Sequence, residues 1–361
     1  MENTDVIVPS MKLHTVAPYI GKMRPEIASW AVDTVSSEGD LILDPFCGSG
    51  TVLLEGWAKN RRVIGTDLNP YACLISSAKL NPYDAEKVSN IDQILNNYLS
   101  EVDDIKSNID LEDVPDWVRS FYNPLTLKDL LGWIVVLKKY NDKFALACLL
   151  GIAHHQRPGF LSYPSSHTVP YLRTNKFPIS DFPEMYEYRD VFSRLKKKII
   201  RATAKLPILN FDLKRDVFLT DASLLKIDEK VNAIITSPPY MGQLDYARDN
   251  RLRLYFLGID DWKSLNKDVS PSASRFVDQF ESCLSSWRNI LSHGGKLAIL
   301  VGTTTNTVKQ RLDELVIKII SENWVDYHLT DVIVSEIPEG RRARKNCKGS
   351  TAESLLIFEY K

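Results

Sequence analysis

Ser237-Pro238-Pro239-Tyr240 places a hydroxyl, backbone carbonyls with no competing proline N–H, and an aromatic ring in four consecutive residues. Such a set can accept hydrogens from an amine and hold a flat ring by stacking. The run before it, Val231-Asn232-Ala233-Ile234-Ile235-Thr236, reads as a buried strand. Proline is excluded from central strands because it has no N–H for the ladder. The pair therefore ends the strand, fixes φ at both positions, and pushes the residue before each proline out of the α region. The result is a stiff loop at the carboxyl end of a strand, where ligands bind in open α/β sheets.

A second stretch, Leu41-Ile42-Leu43-Asp44-Pro45-Phe46-Cys47-Gly48-Ser49-Gly50-Thr51, reads as strand, glycine turn and helix start. Gly48 and Gly50 permit a tight turn and close approach of backbone to a ligand. The helix start aims free N–H groups and a partial positive charge at that ligand. No Gly-Lys-Ser/Thr follows, so this is not a phosphate loop, and the third glycine of a dinucleotide fingerprint is absent. Asp44 discriminates further, since a carboxylate at the strand end repels a pyrophosphate and suits a cationic or hydroxyl-bearing ligand. Arg62 to Asp67 reads as the next strand. Asp67 follows Asp44 by close to the roughly 20 residues at which an acid meets ribose hydroxyls in βαβ nucleotide sites. Its other reading is a cap for the helix starting near Tyr71; the glycine turn before it favours ribose.

These elements must be carried by the rest of the chain. With 361 residues and 44% hydrophobic content, it suits one large domain or one domain with a sizeable insertion. A formal net charge of −1 gives no global basic field, so nucleic-acid contact has to come from local patches. No apolar run approaches the roughly 18 residues of a bilayer span, and the N-terminus lacks a basic-then-apolar signal pattern. Cys47, Cys73, Cys148, Cys283 and Cys347 are scattered without a CxxC pair. That argues against a disulfide framework or a zinc site and suits a reducing cytoplasm. His154-His155 has no cysteine or acid at metal-ligand spacing and is read as core or hydrogen-bonding.

His14 to Pro25 is a turn-rich lead-in, read either as a packing arm or as a ligand-contacting one, before a helix from Glu26 to Val35. From about 82 to 210 the βαβ rhythm breaks, and Leu125 to Tyr140 and Phe144 to His154 read as helices. Arg194, Lys196, Lys197, Lys198, Arg201 and Lys205 form a basic run without an acid, either a solvated helix face or a phosphate contact. The rhythm resumes at Asp216 to Leu219. Asp221, which follows, can meet a ligand's polar edge or cap a turn. A helix is expected over 275–291. Strands are expected at Lys296 to Val301 after the pair Gly294-Gly295, at Trp324 to Val334 and at Ser354 to Tyr360, with a basic loop between the last two.

Asp44-Pro45-Phe46-Cys47-Gly48-Ser49-Gly50-Thr51 and Thr236-Ser237-Pro238-Pro239-Tyr240 together resemble the two signature motifs of amino-methylating DNA methyltransferases. The serine form resembles the N4-cytosine branch; the adenine branch more often carries Asp or Asn at the place of Ser237. Pro18-Tyr19-Ile20-Gly21-Lys22-Met23-Arg24-Pro25 is similar to the family's N-terminal cofactor motif, and Asp245-Tyr246 with Arg248 and Arg251 adds to the likeness. The resemblance covers roughly 14–80 and 215–361. It implies an α/β fold: a doubly wound, mainly parallel seven-stranded sheet of the class I methyltransferase, Rossmann-like type, with a largely helical insertion. The catalytic domain would be 1–81 and 211–361, and 82–210 an inserted DNA target-recognition region. That insertion falls before the Asp221 strand, a departure from the family arrangement.

The resemblance further implies S-adenosylmethionine as methyl source, S-adenosylhomocysteine as product, and no metal. Lys22, Asp44, Phe46, Gly48, Gly50, Thr51, Asp67 and Asp221 would hold the cofactor. Ser237, Pro238, Pro239 and Tyr240 would carry catalysis. Arg173, Lys196, Lys197, Arg248, Arg251, Arg341, Arg342 and Arg344 would contact double-stranded DNA. The location implied is cytoplasmic, as monomer or homodimer, and a companion restriction endonuclease is left open. Cys47 is no nucleophile on this reading. The alternatives are N6-adenine methylation, methylation of an RNA amino group (the glycine motif also resembles tRNA guanine-N2 enzymes), and a methylase-like binding module without catalysis. A nicotinamide dehydrogenase gives no role to Ser-Pro-Pro-Tyr.

Overall fold

The computed structural model describes residues 11–155, 160–166, 170–239, 245–269, 273–303, 311–337 and 352–361. In chain order, a lead-in arm precedes α1 (Pro25–Val35), β1 (Leu41–Asp44), α2 (Thr51–Ala58), β2 (Arg62–Asp67) and α3 (Pro70–Leu80). A helical insertion follows: α4 (Ala85–Ser89), α5 (Ile91–Ser107), α6 (Asp116–Arg119), α7 (Pro124–Lys139), α8 (Lys143–Ile152) and α9 (Val191–Ala202). The βα rhythm then resumes with β3 (Arg215–Leu219), β4 (Val231–Thr236), α10 (Tyr246–Asp249), α11 (Arg251–Leu257), α12 (Trp262–Val269) and α13 (Ala273–Arg288). The last elements are β5 (Leu291–Gly302), α14 (Leu312–Asn323), β6 (Tyr327–Glu336) and β7 (Ala352–Tyr360).

The strands form one seven-stranded sheet in the order β3-β2-β1-β4-β5-β7-β6. Among the described strands only β7 runs antiparallel to its neighbours; the other pairings are parallel. Side-chain alternation wraps both faces. Ile42, Ala233, Ile235 and Leu300 enter one hydrophobic cluster, shared with α1 to α3 and the insertion. Leu41, Leu43, Ile234 and Ile299 enter the other, under α13 and α14. This is the doubly wound, Rossmann-like arrangement with a helical insertion that the sequence implies. The strand order reverses between β1 and β4, and in such sheets the crevice outside the carboxyl ends of the strands at that switch point binds ligands. Asp44 and Ser237 stand at those two ends.

The glycine pair Gly294-Gly295 lies inside β5 rather than before it. Pairing jumps from Val231 with Leu291 to Ala233 with Lys296, so the extra residues bulge out, and Gly294 takes φ +76°, open to glycine. Among the described residues no helix is long and apolar enough to cross a membrane, and no three His, Cys, Asp or Glu side chains are grouped as metal ligands.

Candidate active site

The site is built from the glycine turn outward. Gly48 (φ +49°) and Gly50 (φ +69°) both adopt the left-handed region. A Cβ on Gly50 would lie 2.8 Å from Ser76 Oγ and 3.0 Å from Ser76 Cα, so α3 can approach only because position 50 is glycine. Gly50 is also the N-cap of α2, with no side-chain cap, so the first N–H groups of that helix are left to a ligand. The turn is tied to β2 by Cys47 N–H to Thr66 O (2.9 Å) and by Thr66 Oγ1 to Pro45 O (2.8 Å).

Two carboxylates flank the turn. Asp67 Oδ2 accepts the Gly48 N–H (2.9 Å) and its Oδ1 the Asn69 N–H (2.8 Å). It does not cap α3: Asn69 does, accepting from Tyr71 N–H (3.0 Å). Asp44 Oδ1 accepts from Thr236 Oγ1 (2.7 Å) and from the Phe46 N–H (3.2 Å). Burial pushes Asp44 up to about 7, against the pull of those two hydrogen bonds. Burial likewise pushes Asp67 up to about 6, against its backbone N–H partners. The Cys47 thiol is raised well above its ordinary value by burial and by the neighbouring Asp67, so it is held as a thiol and not as a nucleophile.

A cleft of about 260 Å³ opens over these groups. Gly48, Ser49, Thr51, Asp44, Phe46 and Asp67 line it from one side, and Ser237, Pro238 and Pro239 from the tip of β4. Asp221 lines it as well, and its Oδ1 accepts from both the N–H (2.7 Å) and the Oγ (2.6 Å) of Ser223. It therefore caps a turn and faces the cleft at once. The arm closes the cleft with Tyr19, Gly21, Lys22 and Met23. Tyr19 stacks with Tyr246 at 6.3 Å between ring centroids. The arm thus packs and lines the site together. It is fixed from beneath: Lys22 Nζ donates to His14 O (3.2 Å), His14 Nε2 meets Glu55 Oε1 of α2 at 2.8 Å, and Lys198 Nζ of α9 donates to Thr15 O (2.5 Å).

Of the eight cofactor residues read from the sequence, seven line this one cleft; Gly50 stands behind it as the N-cap of α2, packed against Ser76. Tyr240 lies outside the described residues, as do Arg341, Arg342 and Arg344. The remaining candidate DNA contacts lie outside the cleft lining. Arg248 pairs with Asp245 (3.0 Å) and Lys196 with Asp92 (2.5 Å), while Lys197 is exposed. Arg173 is half-buried. Arg251 sits between the rings of Trp117 (5.5 Å) and Tyr171 (5.0 Å) and donates to Pro170 O (2.9 Å). Sequence reasoning missed the wall made by Val269, Phe276, Phe280 and Cys283. Its sole trace was the four-residue spacing of the two phenylalanines on an expected helix. Lys198, read as part of a basic face, is buried and holds the arm.

Ser49 Oγ and Thr51 Oγ1 are buried polar atoms without a hydrogen-bond partner among the described residues, and both residues line the cleft. Buried hydroxyls are normally satisfied, so the site is furnished for a polar ligand. Two carboxylates, open helix N–H groups and these hydroxyls fit the aminoacyl and ribose portions of S-adenosylmethionine.

A family model described as DNA methylase matches residues 19–78. The chain is 23% identical to the type II methyltransferase M.MjaII of Methanocaldococcus jannaschii, over 82% of this chain and 73% of that protein. It is 24% identical to the type II methyltransferase M.MvaI of Kocuria varians, over 70% of this chain and 60% of that protein. A short stretch, 14% of this chain, is 42% identical to a tRNA (guanine(10)-N2)-dimethyltransferase of Methanothermobacter thermautotrophicus and covers 16% of that protein. The family match falls on the arm, the glycine turn and Asp67, residues that build one side of the cleft, and over that segment the chain is similar to the amino-methylating DNA methylases.

Proposed function

We propose that this chain transfers a methyl group from S-adenosylmethionine to the exocyclic N4 amine of a cytosine in double-stranded DNA, the base being extruded from the helix. The observation that carries this reading is the shared cleft: the glycine turn with Asp44 and Asp67 lines one side, and Ser237-Pro238-Pro239 the other. When bound, S-adenosylmethionine supplies an electrophilic methyl group on a cationic sulfur.

The chain's own residues do the rest. Asp67 meets the ribose hydroxyls. Lys22 and the first N–H groups of α2 face the carboxylate of the amino-acid portion, and Asp44 its ammonium. The Ser237 hydroxyl and the Pro238 carbonyl accept the two amine hydrogens, which lets the nitrogen pyramidalise and present its lone pair. Two prolines hold those acceptors in place before the reaction, so little reorganisation remains for it. The amine is unreachable inside the duplex, so the base must leave the stack, and Tyr240 is assigned the stacking contact. The serine in the motif supports cytosine over adenine. Residues 82–210 are assigned target recognition.

The test is transfer of labelled methyl groups to duplex DNA and to tRNA in parallel, with mass spectrometry of the nucleosides. N4-methylcytosine from DNA is the expected product. N6-methyladenine alone removes the cytosine assignment, and label confined to tRNA shifts the substrate to the RNA class.

A further inference from the structure

β1 and β4 meet at the switch point through two register pairs, Ile42 with Ala233 and Leu43 with Ile234, whereas β2 and β3 share five. Side chains complete this short join at both ends. Near the amino ends, Asn232 Oδ1 accepts the Leu41 N–H (2.9 Å). At the carboxyl ends, Thr236 Oγ1 donates to Asp44 Oδ1 (2.7 Å). The second bond differs in kind from the first. Asp44 lines the cleft beside the glycine turn, and Thr236 immediately precedes Ser237. Thr236 is 0% exposed and Asp44 3%, so no water stands in for either partner. The Phe46 N–H falls on the same oxygen, Oδ1, which leaves Oδ2 to a ligand.

We propose that Thr236 is a positioning residue: its hydroxyl bridges the carboxylate that meets the methyl donor and the loop that holds the methyl acceptor, and so couples the charge on Asp44 to the placement of Ser237. This role rests on the function proposed above. A hydroxyl donating to an ionised carboxylate makes a bond about twice as strong as one to a neutral carboxyl. The bond therefore tightens when Asp44 is ionised, the form that also suits a cationic methyl donor. Among the described residues, the titratable groups facing Asp44 are Asp67 across the turn and Cys47 within it. Neither supplies a cation, so the Thr236 hydroxyl and the Phe46 N–H are the groups that favour ionisation before the ligand arrives.

The test compares Thr236→Val, which keeps the shape and removes the hydroxyl, with Thr236→Ser, which keeps the hydroxyl. Binding of S-adenosylmethionine without DNA is measured by calorimetry from pH 6 to 9, and kcat at saturating methyl donor and DNA. In Thr236→Val the pH midpoint of donor affinity moves up by about one unit and kcat falls at least tenfold, whereas Thr236→Ser returns both toward wild type. A folded valine variant with the wild-type midpoint and kcat overturns the role. So does a serine variant whose midpoint rises by about one unit or whose kcat falls tenfold from wild type, a readout that stands even if the valine variant does not fold. Wild-type protein that binds no S-adenosylmethionine refutes the function itself, and is thereby distinct from a failure of the coupling alone.

Discussion

Replacing Asp44 by asparagine should stabilise the ligand-free protein at pH 8 while weakening its hold on the methyl donor. Burial pushes the Asp44 carboxyl from 3.8 up to about 7. A displacement of about 3 units at 1.36 kcal/mol each amounts to about 4 kcal/mol between the two protonation states. The sign follows from linkage: a folded-state value above the unfolded one favours folding below the unfolded value, and that benefit is lost as pH rises through the folded one. Wild-type protein therefore loses stability from this group between about pH 4 and pH 7. Asparagine has no charge to bury, and its carbonyl can still accept from Thr236 and the Phe46 N–H. At pH 5, where only about a third of that loss has accrued, the variant should lead wild type by less than half of its margin at pH 8. At pH 8 the variant should be more stable by about 1–4 kcal/mol, and calorimetry should show S-adenosylmethionine affinity down at least tenfold. A variant less stable than wild type at pH 8, or a difference identical at pH 5 and pH 8, refutes the reasoning.

Further outcomes follow from other parts of the site. Gly50→Ala should cost about 2–4 kcal/mol of stability, from left-handed strain and from displacement of α3 at Ser76. Gly48→Ala, whose Cβ would make ordinary contacts with the Tyr19 ring at 3.4 Å and the Phe46 carbonyl at 4.0 Å, should cost about 1–2 kcal/mol; urea titrations that reverse this order count against the turn geometry. Lys79 is fully buried, and its Nζ has no hydrogen-bond partner among the described residues. Burial holds it well below its ordinary value of 10.5, with Lys22 adding to the fall. Wild-type stability should therefore climb as pH rises toward 10.5. Lys79→Met should raise stability near pH 7 by about 1–3 kcal/mol and flatten that climb, and a lower melting temperature contradicts it. Tyr240→Ala should lose about 1–3 kcal/mol of base stacking and keep S-adenosylmethionine binding. Lost donor affinity with normal turnover at saturating donor reverses the assigned roles.

Much of the frame was legible because local signals and tertiary demand agree. Pro25 and Pro124 each open a helix, at α1 and α7. The two prolines after Thr236 end β4 where the sheet needs a loop. The acids closing β1 and β2 announce a cleft because a carboxylate at a strand tip has few other uses. What stayed hidden depends on distance in sequence. Nothing near His14 points to Glu55, and nothing near Asp44 points to Thr236, yet each pair is joined by a buried hydrogen bond. The basic run on α9 shows the opposite failure. Its charge hid a spacing that sets Lys198 in step with the buried Val191, Leu195 and Ala202, so that it turns inward to Thr15 while Lys196 reaches Asp92. Asp67 was open between a ligand and a helix cap, and packing gave the cap to Asn69.

The arm rests on the insertion as well as on the catalytic core. A Cβ on Gly151 of α8 would lie 2.3 Å from the Val16 carbonyl, and Lys198 of α9 holds the Thr15 carbonyl. Two helices of the inserted segment thus serve as the keel beneath the strip of chain that roofs the donor pocket. Wholesale exchange of 82–210 would unseat that roof. Grafts that retain α8 and α9 and replace only the remainder leave the pocket supported.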